Sequence, residues 1–137
     1  DSLTIALLRA REAVTAKFRD HVAAGGMTLT QWRVIRALAG GTELDTTTLA
    51  QRCVILAPSL TRIIKTLEGR GLIEKVPARD KRQRVVRLTA DGEAMFTEMW
   101  AVSKTRYAAI EAAFGRAEML DLVETLNRLR AVLEEDV

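Results

Sequence analysis

Four residues in the middle of the chain, Ser59, Thr61, Arg62 and Lys65, recur on one side of a helical repeat whose other side is Leu60, Ile63, Ile64 and Leu67. Hydroxyls and cations in that pattern suit phosphate oxygens and base edges rather than bond-making chemistry. Arg62 matches the O6 and N7 acceptors of guanine. Ser59 and Thr61 lie near a helix N-terminus, where free backbone N–H groups already favour a phosphate. Downstream, Asp80-Lys81-Arg82 and Arg84 form a basic turn. Asp80 stands two residues before Arg82, where its carboxylate can accept from the guanidinium and hold it extended toward a narrow minor groove. Lys81 and Arg84 are placed for phosphates. Segment 62–87 holds nine Lys/Arg against three acids, a net of +6, while the whole chain is only +3. Positive charge is therefore concentrated where a DNA duplex would lie.

Other chemistries find less support. There is no Gly-rich phosphate loop, no nucleophile beside a base and no metal-ligand spacing, so an enzyme is not expected, nor is any cofactor. His21, the single histidine, reads as a solvated or capping residue near a helix end, not a metal ligand. One cysteine, Cys53, rules out an intramolecular disulfide and suits a reducing cytoplasm. Cys53 falls on the inner side of its helix beside Leu49 and Ala50, which favours a buried, inert thiol. A redox switch at Cys53 is the alternative, with Arg52 as its activating neighbour. Another alternative is an interaction module whose basic turn binds an acidic protein. No apolar run approaches the roughly 18 residues of a spanning helix, so no membrane partner is expected. Charges at Arg9, Arg11, Glu12, Lys17, Arg19 and Asp20 speak against a secretory signal.

The elements that must position these residues are mostly helical. Composition is 48% apolar but only 4% aromatic, enough for one core. Leu3, Leu7, Ala10, Val14, Phe18 and Val22 form one stripe of a long first helix, ended by Gly25-Gly26. Thr30 is expected to cap a second helix carrying Trp32, Ile35, Leu38 and Ala39, closed by Gly40-Gly41. Asp45 is expected to cap a short third helix. A turn of about four residues leads to Pro58 as the first residue of the fourth. Gly69 or Gly71 ends that helix, and residues 72–77 and 84–88 read as the strands of a hairpin. From Thr89 the chain is helical again, with Phe96, Trp100, Ser103, Tyr107, Ile110 and Phe114 on one stripe. Gly115 breaks that run before a last helix containing Met119, Leu122, Val123, Leu126, Leu129 and Leu133. The fold class is mainly α with a small β wing: a winged helix-turn-helix at 28–92, flanked by helices at 1–24 and 93–137. The flanking stripes are wider than one small domain buries, so they are expected to make a homodimer.

These residues carry a resemblance. Leu67-Glu-x-x-Gly-Leu-Ile, Asp80-x-Arg and Leu88-Thr-x-x-Gly, within Leu49–Gly92, resemble the MarR family of bacterial transcriptional regulators, and the likeness covers almost the whole chain. Asp1-Ser-Leu-Thr-Ile-Ala-Leu-Leu, Ala10-Arg-Glu-Ala, Gln31-Trp-Arg and Cys53-x-Ile-Leu-x-Pro-Ser-Leu-Thr are similar to the repressors of homoprotocatechuate (4-hydroxyphenylacetate) degradation operons within it. The resemblance implies a single unit over 1–137 that dimerises on a pseudo-palindromic operator and is released by a small aromatic carboxylate. It also implies an effector pocket between the dimer helices and the winged part, for which Arg11, Phe18, Trp32 and Arg36 are the candidates. Arg11 would neutralise a carboxylate, Trp32 would cover a ring and Phe18 would line the site. The plainer readings are an ion pair for Arg11, core packing for Trp32 and a solvated Arg36.

Overall fold

A computed structural model describes residues 2–77, 80 and 82–135. The elements run α1 (Leu3–Ala16), α2 (Arg19–Ala24), α3 (Leu29–Leu38), β1 (Leu44–Asp45), α4 (Thr46–Cys53), α5 (Ala57–Gly69), β2 (Ile73–Val76), β3 (Val85–Leu88), α6 (Ala90–Phe114) and α7 (Arg116–Glu134). They form two compact units, one up to Val102 and one from Ser103 onward.

In the first unit, Val34, Ile35 and Leu38 of α3, Leu49 and Cys53 of α4, Leu60 and Leu67 of α5 and Val86 of β3 are fully buried. The sheet has the order β1-β3-β2 and is antiparallel throughout. Ile73 pairs with Leu88 and Glu74 with Arg87, so Ile73, Val86 and Leu88 turn inward.

The starts of α3, α4 and α6 follow capping chemistry. Asp45 caps α4 by accepting the Thr48 N–H at 2.8 Å. α3 is capped by Thr28, not Thr30: Thr28 accepts the Gln31 N–H, and the Gln31 side chain accepts the Thr28 N–H in return. That reciprocal box satisfies two free donors, which a cap at Thr30 would leave open. Pro58 is the second residue of α5, after Ala57. Thr89 caps α6 by accepting the Gly92 N–H at 3.1 Å.

The long first helix is in fact two. Lys17 and Phe18 donate to the carbonyls three residues back, Val14 and Thr15, and the chain turns between α1 and α2. The turn buries Phe18 and Val22, whereas α1 buries nothing. Burial of Phe18 outweighs the continuous stripe, and Arg19 reaches back to hold both Glu12 oxygens at 2.6 and 2.9 Å. The hairpin strands are shorter than expected, at 73–76 and 85–88, and β1 was not expected at all.

Two glycines explain the motifs around the hairpin. α5 ends with the Leu72 N–H on the Leu67 carbonyl and the Gly71 N–H on the Glu68 carbonyl, both 2.9 Å, with Gly71 at φ +73°. This left-handed termination favours glycine and joins Leu67 to Leu72. Gly92 lies so close to the Leu72 carbonyl oxygen that any Cβ would collide with backbone.

The second unit holds the rest of α6 and α7. No residue of α7 is buried, and Leu120, Leu122, Val123, Val132 and Leu133 are all well exposed.

The cap at Asp45 makes a pH-dependent contribution. Its carboxyl pKa is lowered, first by the Thr48 N–H and then by the Thr48 hydroxyl. Stabilisation is therefore complete above the ordinary aspartate pKa and is lost as pH falls through the lower native value. Asp45→Ala is expected to melt below wild type at neutral pH. The gap between the two melting curves narrows below about pH 4, as thermal melts across pH 2–7 will show.

Candidate nucleic-acid interface

α4, the turn 54–56 and α5 make a helix-turn-helix, and burial of Leu60, Ile64 and Leu67 fixes which side of α5 faces out. Thr61, Arg62 and Lys65 are exposed on that outer side, while Ser59 is half-buried. Beside it, a cleft is lined by Thr46, Thr61, Lys65, Glu68, Lys75 and Arg84. The fold thus brings Thr61, Lys65 and Arg84 together, as expected. It adds Thr46 and Lys75, which the sequence had not marked. Alternation along β2 was the available signal for Lys75, since Ile73 is buried and Lys75 lies two residues on, next to the wing turn.

The nine cations of segment 62–87 are not equivalent. Arg87 donates to Glu74 at 2.8 Å and to Glu43 at 3.1 Å, and both acids raise its pKa. It ties the sheet together and is no free phosphate ligand. Arg70 donates to the Gly26 carbonyl at 2.8 Å, away from the cleft. At the wing, Asp80 accepts the backbone N–H of Arg82 at 3.0 Å, and its carbonyl accepts the Gln83 N–H. This corrects the expected carboxylate–guanidinium contact: a backbone donor two residues on is closer to a short Asp side chain than a long guanidinium is. Asp80 therefore shapes the turn, and the side chains of Arg82 and Arg84 stay exposed. Lys81 lies outside the described residues.

On the far side of α3, Trp32 stacks on Phe96 with centroids 5.6 Å apart, and Phe96 stacks on Trp100 at 6.0 Å. Arg36 places its guanidinium carbon 4.7 Å from the centre of the Trp100 ring, a cation–π distance. Trp32 is largely buried, while Arg36 is exposed but engaged by Trp100. Phe18 is buried, with its ring edge-on to His21 at 6.1 Å. Arg11 is separate from this series: it shares a shallow apolar depression on α1 with Thr4, Leu7 and Leu8. Phe96 and Trp100 are thus neighbours of two candidate residues, a relation invisible in their own helical stripe.

Comparison with known proteins agrees with this architecture. The profile of the MarR family matches residues 25–84. The homoprotocatechuate degradative operon repressor of Escherichia coli is 39% identical over 133 residues, spanning 96% of this chain and 90% of the repressor. The chain belongs to the MarR family. Among solved structures, NadR in complex with 4-hydroxyphenylacetate is 41% identical at a TM-score of 0.85, covering 94% of this chain and 92% of NadR. The transcriptional repressor CouR bound to a 23-mer DNA duplex is 27% identical at a TM-score of 0.84, with 94% and 92% covered. This MarR-type chain shares their winged helix-turn-helix. Among the described residues no helix is long and apolar enough to cross a membrane, and no group of three His, Cys, Asp or Glu could hold a metal.

Cys53 sits in the core at 1% exposure, its Sγ donating to the Arg33 carbonyl, while the Arg33 guanidinium donates to the Cys53 carbonyl at 2.6 Å. Burial raises its pKa, and Arg33 offsets this only in part. A buried thiol with a raised pKa is a poor nucleophile, which disfavours the redox alternative. Native protein is expected to show no fast reaction of Cys53 with a disulfide reagent, and one equivalent after unfolding. A fast native reaction would restore the redox reading.

Proposed function

We propose that this MarR-family regulator is a repressor of an aromatic-acid catabolic operon, released from its operator by a phenolic or aromatic carboxylate. The observation that carries the DNA half is the convergence of α5 and the wing on one cationic cleft, with Lys65, Lys75 and Arg84 at its walls. Arg62 reads a base edge from the major groove. Ser59 and Thr61 hold backbone oxygens, Lys65, Lys81 and Arg84 add phosphate contacts, and Arg82 reaches toward the narrow minor groove. Asp80 supports them by shaping the turn that presents Arg82. Glu68 in the same cleft limits non-specific attraction.

The active species is a homodimer. α1 and α7 bury no residue within the chain, and amphipathic helices of this length draw most of their stability from packing. A second copy covering their apolar sides supplies it. Residues 1–24 and 93–137 are accordingly the dimerisation helices, and 28–92 the reading part. Two recognition helices then lie roughly 34–36 Å apart, one turn of duplex, and meet a pseudo-palindromic operator. The protein acts in the cytoplasm as a regulator and not as a catalyst.

For the effector half, support comes from the relatives named above and from the aromatic series closed by a guanidinium. A ring with a carboxylate finds in Trp32 and Arg36 a stacking surface and a counter-charge, with Arg11 as the second guanidinium and Phe18 as apolar lining. Release requires the effector to bind the DNA-incompetent arrangement more tightly. A coupling of about 1–3 kcal/mol weakens operator binding 5- to 150-fold.

The test is fluorescence anisotropy on a duplex from the promoter beside this gene, titrated with 4-hydroxyphenylacetate, its 3-hydroxy isomer and homoprotocatechuate. At least one acid is expected to release the duplex. Arg36→Ala should keep DNA affinity and lose release; release by no aromatic acid would overturn the effector assignment. On the DNA side, Arg62→Ala is expected to cost about 1–3 kcal/mol and relax preference at one base pair. Lys75→Met is expected to weaken all sequences alike and lower the salt slope by about one unit, as anisotropy at several salt concentrations will show.

A further inference from the structure

α4 gives way to α5 within three residues, and two of them, Val54 and Leu56, run against local backbone and capping preferences. Val54 is left-handed, at φ 55° and ψ 54°, and is the one non-glycine residue with positive φ among the described residues. The hydrogen bonding around it repeats the termination of α5: the Ile55 N–H reaches the Ala50 carbonyl at 3.0 Å and the Val54 N–H the Gln51 carbonyl at 3.3 Å. α5 puts Gly71 at the equivalent place. A β-branched residue there is strained. Leu56 is the N-cap of α5, its carbonyl accepting the Leu60 N–H, and its side chain caps nothing. α1, α3, α4 and α6 are capped by Ser2, Thr28, Asp45 and Thr89, whereas α2 and α7 also start without a side-chain cap, at the buried Phe18 and at Gly115.

Neither choice is offset by burial. Val54 is 84% and Leu56 79% exposed, the highest values for large apolar side chains in the described structure. Two apolar residues thus stand in water at positions where glycine or asparagine and serine or aspartate would be locally more stable. Departures of this kind cluster at functional contacts.

The surroundings decide the partner. Both residues lie at the end of α5 that carries Ser59 and Arg62, on the same helix-turn-helix as the cleft of Lys65, Lys75 and Arg84. A cationic setting selects a polyanion over a second copy of this chain or an apolar peptide. Within a duplex, the group in the major groove that accepts an apolar side chain is the C5-methyl of thymine. We infer that Leu56, with Val54 beside it, reads thymine in the operator half-site through that methyl group. The inference rests on the DNA-binding reading above and adds to it a specificity contact that carries no charge.

The experiment starts from a duplex selected out of a random pool by the wild-type protein. Thymines of the half-site are replaced singly by deoxyuridine, which removes the methyl alone, and Kd is measured for wild type and Leu56→Ala. At one position, uracil is expected to weaken wild type about fourfold, the worth of one buried methyl, and Leu56→Ala to weaken binding to the thymine duplex by at least as much. The two losses should not add. Leu56→Ser should melt at or above the wild-type temperature while losing the same discrimination, which separates a reading role from a structural one. Full additivity at every position, or a selected half-site without thymine, overturns the inference and leaves the regulator reading intact. Failure to select any duplex overturns that reading, and the inference with it.

Discussion

Burial of one side of α5 governs the presentation of its recognition face. Leu60, Ile64 and Leu67 pack into a core shared with α3, α4 and β3, and that packing fixes the rotation of the helix about its own axis. A turn of about 100° per residue links every outward position to an inward one. Thr61, Arg62 and Lys65 face outward because their neighbours cannot. The apolar half of the sequence pattern thus aims the polar half, and neither could be altered without the other.

The cationic character of the surface is selected further by ion pairing. Arg87 and Glu74 oppose each other across the β2–β3 ladder, and Glu43 joins them as the second acid on Arg87. These groups are about half exposed, so their individual energies are modest. Their larger effect is on geometry: they hold the root of the wing and take one arginine out of the field offered to a polyanion. Arg70 is turned toward Gly26 in the same way. Lys65, Lys75 and Arg84 remain together at one cleft, and the charge that matters for association is local to it.

Much of this was readable in advance because it is local. Asp45 as a cap, Gly115 as a break, a stop at Gly69 or Gly71, and the two faces of α5 follow from residue types within a few positions of each other. Thr28 could have been preferred to Thr30, since Gln31 completes a capping box only with Thr28. What could not be read depends on distant partners. The break at Lys17–Phe18 contains neither glycine nor proline, and it exists because Phe18 finds a place in the core. β1 is two residues long and is defined only by pairing to β3. The partners of Arg87, the backbone contact of Asp80 and the stacking of Trp32 on Phe96 all join residues whose proximity the fold creates. The effector candidates were the least legible for the same reason: Trp32 and Arg36 acquire their setting from α6, and Arg11 does not share it.

One residue, Leu72, sits at a junction of three elements. The Leu72 N–H closes the last turn of α5, its carbonyl takes the Thr89 N–H, and Gly92 presses against that same oxygen. The Thr89 hydroxyl also donates to the neighbouring Gly71 carbonyl. The end of the reading helix, the root of the wing and the first turn of α6 are therefore pinned to one another with no slack between them. Phe96 and Trp100 ride on that same α6 a short distance along. A tilt of this helix has nowhere to be absorbed locally; it must either be resisted at the junction or be passed on as a rotation of the surface that faces the groove.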